Sequence, residues 1–233
     1  MSSLSIFSAN SFYFLLEGPV FWISVLIFIT GVVFQAGQML SLTRKRAASL
    51  PAAVIGVKRH RPSLTQNARS LLLGIKGSLL WDNRILAAVS IIFHICFLVL
   101  PFFISAHNVL LREAFGVSLP SLPPAAVDTM IWTFLGCVLF FLLRRVLVAR
   151  VRAITTLGDY LFLLLAAAPF VTGYFAHHHI LNSHAMTVLH IASAELVLIL
   201  IPFTRFVHMI FFFIGRFGVA GQYSFGQPGR VWQ

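Results

Sequence analysis

Residues 187–209 read TVLHIASAELVLILIPFTRFVHM, an apolar segment with His190 near its start and His208 near its end. The two histidines are 18 residues apart, about five full turns of an ideal helix at about 100° per residue, so both imidazoles are predicted on one face. At about 1.5 Å per residue they are predicted roughly 27 Å apart, close to the hydrocarbon thickness of a bilayer. The pattern predicts a membrane-spanning helix with an imidazole near each end.

A second apolar segment at 84–111, RILAAVSIIFHICFLVLPFFISAHNVLL, also carries two histidines, His94 and His107. Imidazoles in hydrocarbon are costly and usually functional. Two helices with two histidines each can hold two haems, one near each membrane face. The 13-residue spacing rotates the second imidazole about 140° from the first on a straight helix. Pro101 lies between them, and we expect it to kink the helix enough to re-aim one imidazole.

The composition indicates an all-α integral membrane protein. Hydrophobic residues make up 59% of the 233 residues and charged residues 10%, far from the average of soluble domains. We expect one five-helix membrane domain over 1–215, with a retained first helix, and a C-terminal tail over 216–233. The predicted transmembrane helices cover about 18–41, 85–109, 126–146, 157–176 and 185–213.

The distribution of lysine and arginine predicts the orientation in the membrane. Nine of these residues fall in the loop 42–84, four between 144 and 152, and three from 205 onward, and five spans put all of them on one side. Only Arg112 falls on the other side. We therefore expect an outside N-terminus, a cytoplasmic C-terminus and the inner (cytoplasmic) membrane. The net charge of +11 needs no nucleic acid, because positive-inside bias and anionic lipid or an acidic partner explain it.

The loop 42–84 contains a candidate interfacial helix. Apolar residues recur at helical spacing between Leu64 and Leu79, with Arg69 and Lys76 on the other face. This pattern is typical of an amphipathic helix lying on the inner leaflet. The alternative is an extension of the second membrane helix. Either way the loop gives a basic, cytoplasm-facing surface.

The predicted topology pairs the four histidines by depth. The second helix runs from inside to outside and the fifth from outside to inside. His94 and His208 are therefore expected near the cytoplasmic face. His107 and His190 are expected near the outer face. Each pair gives one six-coordinate, low-spin haem b, whose iron has no open position and serves electron transfer. The two cysteines are too few for an iron–sulfur cluster, and the sequence has no C-x-x-C-H for a covalent haem.

The stretch IPFTRFVHM at 201–209 resembles the fifth-helix signature of the gamma subunit of respiratory nitrate reductase. In that family a Pro-Phe-Ser/Thr-Arg run precedes a haem-ligand histidine, and the other ligand lies eighteen residues upstream. Here those positions are Pro202, Phe203, Thr204, Arg205, His208 and His190. The resemblance covers about 18–215. The wider spacing of the second-helix histidines makes the chain more similar to the membrane subunits of heterodisulfide reductase, of the sulfite-reduction-linked complex and of the transmembrane complex of sulfate reducers.

The resemblance implies a membrane-anchoring dihaem cytochrome b subunit of an anaerobic respiratory complex, with two haem b and menaquinone as cofactors. It also implies electron exchange with a cytoplasmic iron–sulfur subunit and, in some relatives, with a periplasmic multihaem cytochrome c. The chain is then an electron-transfer subunit of a quinone-linked oxidoreductase complex. The competing class is a non-redox membrane transporter or scaffold. A transporter more often shows repeats and Gly/Pro-broken helices near the midplane, which are not evident in the sequence.

Several polar residues near the predicted outer face are candidates for contact with a haem propionate or a quinol. They are Asn108, Arg112, His177, His178 and His179. For the three consecutive histidines the alternatives are a metal site, a solvated loop or propionate contact, and the proton-accepting wall of a quinol site. The last role suits imidazole, which exchanges protons near neutral pH.

Two charged residues of the fifth helix have open roles. Arg205 lies three residues before His208, and it is expected either to snorkel to the inner headgroups or to be the counter-ion of a propionate of the inner haem. Glu195 lies inside the helix. It is expected either to pair with a neighbouring helix or to lie on a proton path.

Overall fold

The computed structural model describes residues 13–48, 83–209 and 211, and every regular element within them is helical. The interfacial helix predicted between 64 and 79 and the tail 216–233 lie outside the described residues. The helices are α1 (Phe21–Ala48), which follows a π-helical turn at Leu16–Val20, α2 (Arg84–Phe103), α3 (Ser105–Phe115), α4 (Pro124–Leu147), α5 (Ala149–Ile154), α6 (Leu157–His177) and α7 (Ser183–Leu200).

Five helical segments of the described chain are long and apolar enough to cross a membrane. They are Tyr13–Leu42, Arg84–Phe103, Pro124–Leu147, Leu157–His177 and Ser183–Phe203. Large apolar side chains on them are exposed, for example Phe34 at 66% and Ile85 at 73%. Such surfaces are unfavourable in water and favourable in lipid. The prediction of an all-helical chain with five candidate spans is confirmed, and the spans indicate a multi-pass membrane protein.

The described chain forms two compact units, one made of 13–17 and 83–197 and the other of 18–48, 198–209 and 211. In the first unit, α4 packs along both α2 and α6. Phe134 of α4 is fully buried, and its ring centroid lies 4.1 Å from that of Phe170 and 4.9 Å from that of Phe93. The buried members of this core are Cys96, Phe134, Val138, Leu163 and Ala167. Stacked aromatic rings therefore hold the three helices together.

The segment predicted as a single helix over 85–109 forms two helices, and only the first of them, α2, is the candidate span. The break falls at Ile104, whose backbone is extended (φ −82°, ψ 131°); α2 ends one residue before it and α3 begins one residue after it. Pro101 has no N–H and disturbs the helix in the preceding turn. His94 and His107 therefore stand on separate helices, and the rotation of about 140° expected for one straight helix does not apply.

The fifth span also breaks, within the single helix predicted over 185–213. Two 3₁₀ turns follow α7, at Ile201–Phe203 and Arg205–Val207. Between them Thr204 is extended (φ −124°, ψ −173°). Pro202 has no N–H to donate to the Leu198 carbonyl, so the helix is already weakened before this turn. The prediction that one regular helix presents His190 and His208 on the same face is therefore corrected.

Candidate functional site

His107 on α3 and His190 on α7 form a facing pair. Their ring centroids lie 5.9 Å apart, and their planes are within 18° of parallel. Both residues are partly buried and belong to the same compact unit. The structure therefore brings together two of the four histidines predicted as iron ligands, and these two are the ones predicted to share a site.

The ring of His190 fits into a recess on α6. Its Nδ1 lies 2.7 Å from the carbonyl oxygen of Pro169. One turn further along α6, a β-carbon added at Gly173 would lie 2.9 Å from both Nδ1 and Cε1 of His190. The glycine is thus required for the ring to lie against α6. Neither Pro169 nor Gly173 was predicted from the sequence, although their four-residue spacing places them on one helix face.

The ring of His107 is held by the helix that precedes it. Its Nδ1 lies 2.8 Å from the carbonyl oxygen of Pro101. The last carbonyls of a helix have no intrahelical donor, and the break at Ile104 places Pro101 within the last turn of α2. The same break therefore leaves a carbonyl of α2 open to accept from Nδ1 of His107.

His94 and His208 belong to different units. Nδ1 of His94 lies 2.6 Å from the carbonyl oxygen of Ser90, one turn earlier on α2. Nδ1 of His208 lies 2.5 Å from the carbonyl oxygen of Arg205. The pairing of these two imidazoles around one iron stays a prediction.

All four predicted ligands share one hydrogen-bond arrangement at Nδ1. In each case the partner is a backbone carbonyl oxygen at 2.5–2.8 Å. A carbonyl only accepts, so Nδ1 carries the ring hydrogen and donates it. The neutral ring then has its lone pair on Nε2, where a metal can bind. The carbonyl also fixes the orientation of the ring, as partners of ligating histidines commonly do.

The histidines at the end of α6 are engaged differently. Nε2 of His178 lies 2.9 Å from Oδ1 of Asp128 on α4. His179 has a positive φ of 53°, and its Nδ1 lies 2.9 Å from Oγ of Ser183. His177 is exposed at the last position of α6. The three rings form an exposed group at this helix end, and among the described residues neither His178 nor His179 has a carbonyl partner at Nδ1.

Asn108 and Arg112 lie at one cavity beside α3. Asn108 is 5% exposed, and its Oδ1 accepts from the N–H of Leu119 at 3.1 Å while its Nδ2 donates to Oγ of Ser121 at 3.0 Å. The amide therefore fixes the loop between α3 and α4. The cavity, of about 240 Å³, is lined by Ser105, Asn108, Val109, Arg112, Ser118, Leu119 and Ser121. Its hydroxyls and guanidinium are donors suited to a carbonyl or carboxylate.

Glu195 and Arg205 occupy contrasting environments. Glu195 is 5% exposed, and its Oε1 has no hydrogen-bond partner among the described residues. Arg205 is exposed. The proton-path and helix-pairing interpretations of Glu195 and the propionate role of Arg205 stay predictions.

Comparison with known proteins relates this chain to a bacterial protein over nearly the full length of both. The chain is 34% identical over 224 residues to a protein of Nitratidesulfovibrio vulgaris strain Hildenborough, and the match covers 94% of this chain and 96% of that protein. The description of that relative, "Protein", states no activity. No protein-family model matches the chain, and no solved structure gives a significant match.

Proposed function

We propose that this chain, which belongs to the same family as the Nitratidesulfovibrio vulgaris protein, is the dihaem cytochrome b subunit of an anaerobic respiratory complex. In this proposal His107 and His190 hold an outer haem, and His94 and His208 hold an inner one. Electrons pass across the membrane between menaquinol or menaquinone and a cytoplasmic iron–sulfur partner. The haems, when bound, supply one-electron carriers without an open iron position.

One observation carries the proposal: each of the four histidines donates from Nδ1 to a backbone carbonyl, which fixes the tautomer whose lone pair, the one a metal would bind, is on Nε2. The spacing of the outer pair fits as well. With metal–imidazole nitrogen bonds of about 2.0–2.1 Å, two rings on opposite sides of one metal have centroids about 6 Å apart once the ring radius is added. The observed centroid distance is 5.9 Å.

A porphyrin fits this donor set better than a bare ion does. The described residues contain no group of three or more His, Cys, Asp or Glu side chains that could hold an ion. Two imidazoles alone leave most metal positions unfilled, and a porphyrin supplies four nitrogens to an iron.

Haem propionates and a quinol need polar groups at the outer end. The cavity is lined by Asn108, which follows His107 on α3, and by Arg112. The rings of His177, His178 and His179 are exposed at the end of α6. We assign donors for a propionate or a quinone carbonyl to the cavity, and a proton-accepting role to the imidazoles. The bias of lysine and arginine supports an outside position for this end.

The competing class is a non-redox transporter or scaffold, and broken helices also occur in transporters. In this chain the breaks at Ile104 and Thr204 lie three residues before His107 and four before His208. Each break therefore precedes a predicted ligand, and a carbonyl beside the break accepts from Nδ1 of that histidine.

A pyridine haemochrome assay on the purified chain tests the proposal. Two haems b per chain are expected, and one is expected to remain after His107→Ala or His190→Ala. His184→Ala is the matched control, because this exposed histidine is not a proposed ligand and should leave both haems. A wild-type chain that takes up no haem would refute the proposal and favour the non-redox class.

A further inference from the structure

The turn that follows α7 rests on α1 within the second unit. Pro202, at the centre of this turn, is fully buried. Gln35 of α1 donates from Nε2 to the carbonyl oxygen of Pro202 at 3.0 Å. Gly31 lies one turn earlier on α1 and faces the same proline. Two residues of the first span thus contact the break in the fifth.

The amide of Gln35 satisfies a carbonyl that the break leaves open. In an unbroken helix the Pro202 carbonyl would accept from the N–H of Phe206, which here lies 3.4 Å from Oγ1 of Thr204. Hydrocarbon offers no donor, so carbonyls freed by a break within a membrane need protein partners. Oγ1 of Thr204 donates to the Leu200 carbonyl at 2.7 Å, and Gln35 satisfies the carbonyl of Pro202. The break therefore depends on α1.

Gly31 provides the space that the turn needs. A β-carbon at this position would lie 2.7 Å from Cβ and Cγ of Pro202 and 3.3 Å from Cζ of Phe203. Both atoms of Pro202 belong to a rigid ring, so the turn itself would have to move. Gly37, further along α1, has open space where its β-carbon would be, and the requirement is therefore specific to Gly31.

The position of this turn determines where His208 points. After Thr204 the chain forms the 3₁₀ turn Arg205–Val207. The carbonyl of Arg205 then accepts from Nδ1 of His208. Because a carbonyl within the turn orients the imidazole, moving the turn moves the ring.

We propose that Gly31 and Gln35 are positioning residues for His208: they fix the turn at Pro202 and thereby the orientation of the imidazole that would bind the inner haem. The inference rests on the proposed dihaem function. Neither residue touches the iron in this proposal, and both act through the turn. Their effect should therefore appear in the inner haem alone, in its low-spin electron paramagnetic resonance signal and its midpoint potential.

The first test compares Gly31→Ala with Gly37→Ala in the full chain purified in mild detergent. Gly31→Ala should shift the largest g value and the midpoint potential of one haem, or lose that haem. The haem that disappears in His190→Ala should be unaffected. Gly37→Ala should leave both haems at wild-type values. Unchanged spectra and potentials in Gly31→Ala would overturn the inference, and equal changes in both haems would overturn it in favour of a general loss of packing.

The second test does not add bulk and so remains available if Gly31→Ala fails to accumulate. Gln35→Leu removes the donor to Pro202 at similar volume, and Gln38→Leu removes an exposed amide from the same helix. Only Gln35→Leu should shift the inner haem. A Gln35→Leu chain with wild-type signals for both haems would overturn the inference while leaving the dihaem proposal intact. Absence of haem from the wild-type chain would overturn both, so the two failures are distinguishable.

Discussion

Replacing Gly173 by alanine should displace the ring of His190 and weaken the proposed outer haem site. The added β-carbon would lie 2.9 Å from Nδ1 and Cε1 of His190, whereas ordinary contact begins at 3.4 Å. The ring must therefore move by at least about 0.5 Å, since interiors are too closely packed to absorb the overlap. Such overpacking typically costs about 1–3 kcal/mol.

The displacement also stretches the hydrogen bond from Nδ1 to the Pro169 carbonyl, now 2.7 Å, to the limit of useful hydrogen-bond length. Loss of a partner that orients a ligating histidine commonly costs about 10–100-fold in metal affinity. We therefore expect Gly173→Ala to retain the inner haem and to bind the outer one about 10–100-fold more weakly.

Haem titration of the apo-chain, followed by absorbance and electron paramagnetic resonance, measures this loss. Gly136→Ala is the matched control, because nothing lies within 4 Å of its added β-carbon and alanine is the better helix former. Wild-type affinity and spectra for both haems in Gly173→Ala would refute the assigned role of the α6 recess.

Three further predictions address the partner, the quinol and the core. Charge reversal at Arg144 and Arg145 should weaken binding of the proposed cytoplasmic partner in a salt-dependent way and leave the haem content unchanged. A pull-down at two ionic strengths measures this binding, and undiminished binding would leave only lipid contact as the role of these residues. Replacing His177–His179 together by glutamine should slow reduction of the haems by a menaquinol analogue in stopped flow and spare the haem spectrum, and an unchanged rate would move the quinol site elsewhere. Phe134→Ala should destabilise the first unit by about 3–5 kcal/mol, because the Phe134 ring is fully buried. Phe34 is 66% exposed, so Phe34→Ala should have little effect. Equal unfolding midpoints of the two variants in detergent would contradict the role of the aromatic core.

The spans were predictable because hydropathy alone determines them. Each of the five predicted segments overlaps a helix that is long and apolar enough to cross a membrane. The pairing of His107 with His190 also followed from the order and direction of the spans, since antiparallel helices bring residues of equal depth together. Neither prediction required knowledge of a particular side-chain contact.

The helix breaks were not predictable to the residue, because they depend on distant partners. Pro101 and Pro202 indicate where a helix is weakened, but the backbone departs from helical geometry at Ile104 and Thr204. Gln35 supports the second of these breaks from 167 positions away. Neither helical periodicity nor hydropathy predicts that Gln35 contacts Pro202.

The recess that receives His190 was missed for a related reason. Pro169 and Gly173 lie in an apolar helix. Proline and glycine are frequent in membrane helices, and glycine is frequent where two helices pack closely, so neither residue alone indicates a recess for a side chain. Their role depends on the ring of His190 of α7, which lies against α6 at these two residues. Only the three-dimensional structure shows that contact.

The break at Ile104 gives α2 and α3 separate helix axes, joined by the hydrogen bond between His107 and the Pro101 carbonyl. If residues 84–115 formed one straight helix, any tilt that reoriented His94 would also move His107, and the two proposed ligands could not be adjusted separately. With α3 as a separate helix, anchored to the loop before α4 through Asn108, each imidazole can be adjusted by its own neighbours. In the proposed dihaem arrangement, a substitution that tilts α2 around His94 therefore need not rotate His107 by the same amount.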